Sequence, residues 1–438
     1  MVKMKHPHAA FIVALLAGAM TACTGQPNAD QQAGEPAAAS QLQQMEPVEL
    51  VIYSSSGWTP EAFNEKFGDA LRAKFPQHQI KYIQSTNGAG YQDLITAGQP
   101  IDMIWESVAK FPSILQYNIQ YDMTELIKKH NVDTSRMEPT MLDAMRTISG
   151  GKLYALPVVN NTLSLYYNKD LFDKFGLAYP TDGMTWDQVL DLNKQLTRVD
   201  GGIQYVGLGI SQGHFFDINP LSLSKMDPNT LMPTIYNDKW KTLFEIYSKM
   251  AEASGYKEKI QELQGIPGVT NFVKKKDTAM VAALANMHMT QDMSEVNWDV
   301  VRYPVFKDAP NSNPQSYPTY FGVSSISKHQ DQAMDMIKYL VSDEFQLAVA
   351  RSGTLPVIQS SSVIGAFAQD AKFKDKNVKS ALYSSFAPIA VQTIYDSAVS
   401  SAYGKKLVPF SLGQMDVNTL LRTSEEEAAK TIESMKVK

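Results

Sequence analysis

Gly150-Gly-Lys-Leu-Tyr-Ala-Leu-Pro157-Val-Val-Asn-Asn161-Thr-Leu-Ser-Leu-Tyr-Tyr167-Asn-Lys-Asp170-Leu-Phe-Asp-Lys-Phe-Gly176 is the stretch from which the rest of the chain can be ordered. The paired glycines make a turn, and the apolar extended run after them is interrupted by Pro157. A second apolar run, Leu163 to Tyr167, leads into a short helix predicted over 170–175. Gly176 then stands where a helix C-terminus wants a residue free to take positive φ. Thr185, with Gln188 three residues later, is a capping box and predicts a new helix from Trp186. Both runs are rich in Val, Leu and Tyr and bounded by turn residues, as buried strands are. The stretch holds no catalytic motif.

Upstream lies a regular alternation. Val48 to Tyr53 is an apolar run, and Thr59-Pro60 supplies an N-cap and a first-turn proline. Phe63, Phe67, Leu71 and Phe75 follow at helical spacing until Pro76. Strands are predicted at 79–83 and 101–105, with a helix at 91–97 between them. Strand, helix, strand, helix, strand with short links means βαβ units and a parallel sheet, whose ligands lie beyond the carboxyl ends of the strands. Those ends are Ser54 to Trp58, Ser85 to Gly90 with Asn87, and Trp105-Glu106-Ser107. They combine hydroxyls, an amide, a carboxylate and two indoles. An aromatic face with polar neighbours suits a sugar; a half-buried surface aromatic is the plainer reading of Trp58 and Trp105. Gly88-x-Gly90 lacks the third glycine and the lysine of a phosphate loop.

At 438 residues the chain is too long for one ordinary core, so two lobes are expected. A net charge of −5 gives no basic footprint for nucleic acid. Ala9 to Ala22, after Lys3 and Lys5, is apolar but too short to span a bilayer and ends in small residues, as a signal peptide does. The single cysteine follows at once in Met20-Thr-Ala-Cys23, which resembles a bacterial lipobox although Met20 is not the usual leucine. Signal peptide 1–22 and a lipid on Cys23 are therefore expected. Residues 23–47, nearly without large apolar side chains, form a flexible tether.

Further on, Gly209-Ile-Ser211-Gln-Gly213 matches the nucleophile-elbow pattern G-x-S-x-G after an apolar strand. An elbow must be followed by a helix, and Asn219-Pro220 reads as a break, so the match is taken as coincidence. The seven histidines show no metal-ligand spacing, and neither a metal nor another cofactor is expected. Trp240, Leu243, Phe244, Tyr247 and Met250 are a core-facing helix stripe. Gln330 to Val349 reads as one long amphipathic helix.

The order of elements from Gly150 to Gln188 closely resembles the middle of the extracellular solute-binding proteins that feed carbohydrate ABC transporters, the maltose-binding-protein cluster. There the Gly-Lys-x-Tyr-x-x-Pro segment is the first hinge crossing, and Leu-Tyr-Tyr-Asn-Lys-Asp-Leu-Phe opens the second lobe. Ala279 to Val305 and the strand from Phe321 are similar in turn, with a third crossing near Thr354 to Val357. The resemblance implies an α/β fold of the periplasmic-binding-protein type II. Two lobes, each a mostly parallel sheet flanked by helices, would be joined by three hinge crossings, with 48–156 plus 304–355 forming the first and 157–303 plus 356–438 the second. Ligand contacts are expected from Trp58, Asn87, Trp105 and Glu106 in the first lobe, from Asn161 and Asn286 in the second, and from Tyr320. Asn161 stands where the maltose binders carry an acid, and Asn286 where they carry a sugar-stacking tryptophan, which argues against maltodextrins. The implied protein is a monomeric, extracytoplasmic receptor, lipid-anchored to the cell membrane. It captures a carbohydrate for an ABC permease and performs no chemistry. The competing readings are a secreted hydrolase, an esterase through Ser211 or a glycosidase using Glu106, and a binder of a non-sugar solute.

Overall fold

The computed structural model describes residues 46–436. The signal peptide, Cys23 and nearly all of the tether expected from the sequence lie outside them. Thr59 caps the first helical run by accepting from Ala62 N, and the chain stays helical from Pro60 to Lys74 through a π-helical turn at Asn64–Gly68. Phe63, Phe67 and Leu71 face inward along it, as their spacing requires. In the stretch around Pro157, Gly176 has φ +68° and closes the helix Lys169–Phe175. Thr185 and Gln188 form the capping box of the helix Trp186–Leu196. The long helix expected from Gln330 is two helices, Gln330–Leu340 and Asp343–Arg351, because Ser342 takes extended backbone and caps the second.

Among the described residues, ten strands make two sheets. They are β1 Glu49–Ser54, β2 Gln79–Gln84, β3 Met103–Ser107, β4 Leu156–Val159, β5 Leu163–Asn168, β6 Arg198–Asp200, β7 Ile203–Ile210, β8 Thr278–Leu284, β9 Trp298–Arg302 and β10 Thr319–Val323. The orders are β2-β1-β3-β10-β4 and β6-β7-β8-β5-β9. Both sheets are mixed, with most strands of each running one way. β1 runs parallel to β2 and β3, but β10 is antiparallel to both β3 and β4. In the second sheet β7 and β8 are parallel, while β5 is antiparallel to β8 and β9, and β6 to β7. Crossings cause the reversals of β5 and β10, whereas β6 is reversed by the Gly201-Gly202 turn that joins it to β7. β5 and β10 are the strands by which the chain enters a new lobe, so each starts at the edge where its neighbours end.

Alternation along the strands splits each sheet between two cores. Leu163, Leu165 and Tyr167 pack with Trp186, Phe216 and Trp240 on one face of the second sheet. Tyr166, Val281 and Trp298 pack with Phe272 and Phe367 on the other. In the first sheet Ile52, Met103 and Trp105 face one helical layer, and Tyr53 and Ile104 the opposite one. Val357, Ile358 and Val363 still pack in the first-lobe core, whereas Phe367 and Ala368 belong to the second lobe. Leu355, just before Val357, also packs with the second lobe. Among the described residues no helix is long and apolar enough to cross a membrane.

Close packing of β7 on the helix Trp186–Leu196 depends on Gly207, where an added Cβ would stand 2.4 Å from Asn193 Cα. Its N–H also donates to Thr197 Oγ1 at 3.0 Å. Gly207→Ala is expected to lower stability by about 1–3 kcal/mol through overpacking, read as a shifted urea midpoint with unchanged slope.

Candidate ligand cleft

Strand direction fixes where the site can be. The carboxyl ends of β1 to β4 and of β7 to β9, and the amino ends of β5 and β10, all face the crossings between the lobes. On the first-lobe rim the Ser54–Trp58 loop is held from beneath by Glu106. Its Oε1 accepts from Ser55 N at 2.5 Å and from Tyr91 Oη at 2.9 Å. Glu106 is 1 % exposed, its Oε2 has no partner, and burial pushes its pKa up. Its placement is that of a loop support. Trp58 is half-buried, edge-on to Trp105 at 4.9 Å, and its carbonyl accepts from Tyr82 Oη at 3.0 Å. Asn87 is exposed at the next loop.

Two expected contacts lie in the core instead. Trp105 is 3 % exposed and packed among Phe67, Phe321 and Trp58. The reason is register: β3 runs on to Ser107, so Trp105 is an interior strand residue whose side chain goes under the helical run Pro60–Lys74. Tyr320 is fully buried, and its hydroxyl donates to Met141 O at 2.6 Å. It is a packing residue of the first lobe.

Across the crossings, Asn161 and Asn286 do come together. They line one pocket with His288 and Leu355, of about 10 Å³, room for a single water. Asn286 Oδ1 is buried there with no partner. Asn161 is otherwise occupied with backbone. Its Oδ1 accepts from Thr162 N at 2.9 Å and its carbonyl from Tyr317 N at 2.7 Å. The other pocket-lining ring, His288, stacks on Trp298 at 5.1 Å and meets Tyr166 Oη through Nδ1 at 2.8 Å. Burial pushes its pKa down to about 4.

Sequence reasoning passed over three further residues, Tyr317, His214 and Asp217. Tyr317, in the second crossing, reaches Ser107 Oγ of the first lobe at 3.4 Å and lies edge-on to His214 of the second at 5.7 Å. His214 stands on a helix, Gln212–Asp217, that directly follows Ser211 and corrects the expected break. Six residues fit before Asn219-Pro220 because a proline restricts only the residue ahead of it. Ser211 Oγ lies 2.9 Å from His214 Nδ1. The pair does not build an elbow. Ser211 has ordinary φ (−74°), its N–H still bonds to Ala282 O, and no carboxylate bonds to the His214 ring. The signal in the sequence was the polar spacing Ser211, His214, Asp217, three apart in an otherwise aromatic segment.

Comparison with known proteins gives the following. A profile of the bacterial extracellular solute-binding protein family matches residues 56–347. Binding proteins of Brucella abortus and Brucella suis are 23% identical over 248 residues, 54% of this chain and 56% of theirs. The chain thus spans about half the length of the curated relatives it matches. An ABC substrate-binding protein of Listeria monocytogenes in complex with cycloalternan superposes with TM-score 0.69 at 18% identity, covering 88% of this chain and 99% of that one. A sugar transporter of Rhizobium etli in an open conformation gives 0.68 at 18%, covering 87% and 98%. The acarbose-binding receptor of Streptomyces glaucescens gives 0.65 at 16%, covering 88% and 99%. At such identities the likeness establishes the shared fold.

His288 supplies a pH prediction. Its folded pKa, about 4, lies below the ordinary 6.5. The unfolded chain therefore binds the proton first, and stability present above pH 6.5 is lost as pH falls toward 4. The loss attributable to this ring is on the order of 3 kcal/mol. Urea unfolding of the wild type against His288→Gln should show the wild-type advantage shrinking over that window, whereas a constant difference would mean that the ring is not held neutral.

Proposed function

The chain belongs to the bacterial extracellular solute-binding protein family, and from that premise we propose that it captures a sugar or oligosaccharide between its lobes and hands it to an ABC permease. The observation that carries this reading is the convergence of strand ends from both sheets on the crossings, where hydroxyls, amides and aromatic rings meet. Proteins of the same fold hold cycloalternan and acarbose, which supports a carbohydrate as the solute. Trp58 offers an indole at the first-lobe rim, where stacking a sugar face removes apolar area from water at about 25 cal/mol per Å². Asn87 offers an amide that both donates and accepts, as hydroxyls require, and Asn286 adds an Oδ1 that has no partner in this state. Only a closed state touches ligand from both lobes, so binding itself favours closure about the crossings. The receptor acts outside the cytoplasm as a monomer, held to the membrane by lipid on Cys23.

Thermal melts against a glycan panel test the reading, since a ligand at 100 times its Kd adds about 2.7 kcal/mol. Stabilisation by amines or peptides and by no neutral glycan would overturn it. With a glycan in hand, Trp58→Ala should weaken binding by on the order of 2 kcal/mol, as loss of an aromatic anchor does, measured by calorimetry. Normal affinity in that variant would move the stacking surface elsewhere. Cys23→Ala should yield protein that still binds the glycan but fractionates away from membranes; a variant that stays in the membrane pellet would refute the lipid anchor.

A further inference from the structure

We propose that the second-lobe wall of the site is the polar face of Ser211–Asp217, with Ser211, His214 and Asp217 holding adjacent hydroxyls of an uncharged ligand. The inference rests on the receptor reading above and gives it a residue set and a charge class.

The face is built, not incidental. Positions three apart on a helix share one side, and the opposite side is anchored in the second-lobe core. Phe216 stacks on Tyr247 at 5.5 Å with 7° between the planes, and Phe215 meets Trp186 edge-on at 5.7 Å. Both phenylalanines are buried, so the helix cannot roll without opening that core. Such anchoring presents polar groups at fixed angles. The face also looks across the lobes. His214 lies against Tyr317, and Tyr317 reaches Ser107 on the other side.

The hydrogen-bond inventory leaves vacancies of a particular kind. Ser211 occupies His214 Nδ1, while His214 Nε2 has no hydrogen-bond partner among the described residues. Burial depresses the His214 pKa, so the ring meets ligand uncharged. One oxygen of Asp217 is bound by Lys225 Nζ. The other makes no hydrogen bond and is not buried, in a side chain that is 24% exposed. Lys225 is itself 5% exposed and has Asp396 close by, so it is fixed behind the wall. A hydroxyl can donate to the free Asp217 oxygen and accept from or donate to the imidazole. A ligand ammonium at the same place would face the Lys225 charge behind the carboxylate, which offsets part of its attraction. An anion would meet Asp217 first. Neutral polyols fit the wall best.

The test uses the full-length protein and calorimetry, with mannotriose, cycloalternan and D-mannitol as neutral probes and spermidine as the cationic one. Variants are His214→Ala and the paired change Asp217→Asn with Lys225→Met. The pair is used because Asp217→Asn alone would leave the buried Lys225 ammonium without its hydrogen-bonded carboxylate, Asp396 being close by but not bonded to it. Melting temperatures of both variants serve as the fold control. Expected is a loss of at least about tenfold in affinity for whichever neutral probe the wild type binds, with no gain for spermidine. Affinities within twofold of wild type in folded variants would overturn this wall and leave the receptor reading standing. Binding of spermidine in place of every neutral probe by the wild type would overturn the receptor reading and this assignment with it.

Discussion

A few hydrogen bonds tie the crossings to one another, and the arrangement of both lobes hangs on them. Asn160 N donates to Leu355 O at 2.9 Å, joining the first passage of the chain to the segment that opens the third. Tyr317 N donates to Asn161 O at 2.7 Å, and Asn160 Nδ2 to Ser316 Oγ at 3.2 Å, joining the first to the second. Thr162 Oγ1 adds a bond to Gln315 O at 3.0 Å. These groups are largely withdrawn from water, where an unmade bond would cost about 1–3 kcal/mol. The crossings therefore move as one tied bundle. The rims of the cleft are all connected to it through the strands that begin or end there.

The second crossing carries this outward. Gln315 Nε2 donates to Asn219 O at 2.6 Å, and its Oε1 accepts from Ala390 N at 2.7 Å. Asn219 in turn closes the turn after the helix Gln212–Asp217, bonding Phe216 O through its amide at 2.9 Å. A buried glutamine thus couples the hinge to the helix that carries His214. On the first lobe Glu106 has the equivalent place, gathering the Ser54–Trp58 loop and Tyr91 onto one carboxyl oxygen. Each side of the cleft is positioned by a buried polar side chain rather than by apolar packing alone, which gives it directional constraint.

Much of the fold was legible because it is local. The capping box at Thr185, the turn at Gly176 and the first-lobe alternation each depend on a few neighbouring residues. What was not legible depends on pairing at a distance. Nothing near β5 or β10 states that each enters its sheet reversed; that follows only from which lobe the chain has just left. Register was the second obstacle. A strand ending two residues later than expected left Trp105 inside β3, packed in the core, and a sequence pattern seldom fixes strand ends that closely. Tyr320 was misread for a related reason, since an aromatic near a crossing looks the same from sequence whether it faces the cleft or the core. The helix after Ser211 was missed because Asn219-Pro220 was given too long a reach.

The place of β10 has a consequence in time. It lies in the first sheet between β3 and β4, yet more than 200 residues separate it from β3 in the chain. Until synthesis and export have delivered Val323, β3 and β4 have no strand to join them, and the first sheet is two unconnected pieces. Sheets closed by such distant partners form slowly, because the loop entropy must be overcome before the contacts reward it. A chain built this way cannot complete its first sheet until late in synthesis, which leaves that lobe open to being threaded in extended form through a narrow channel.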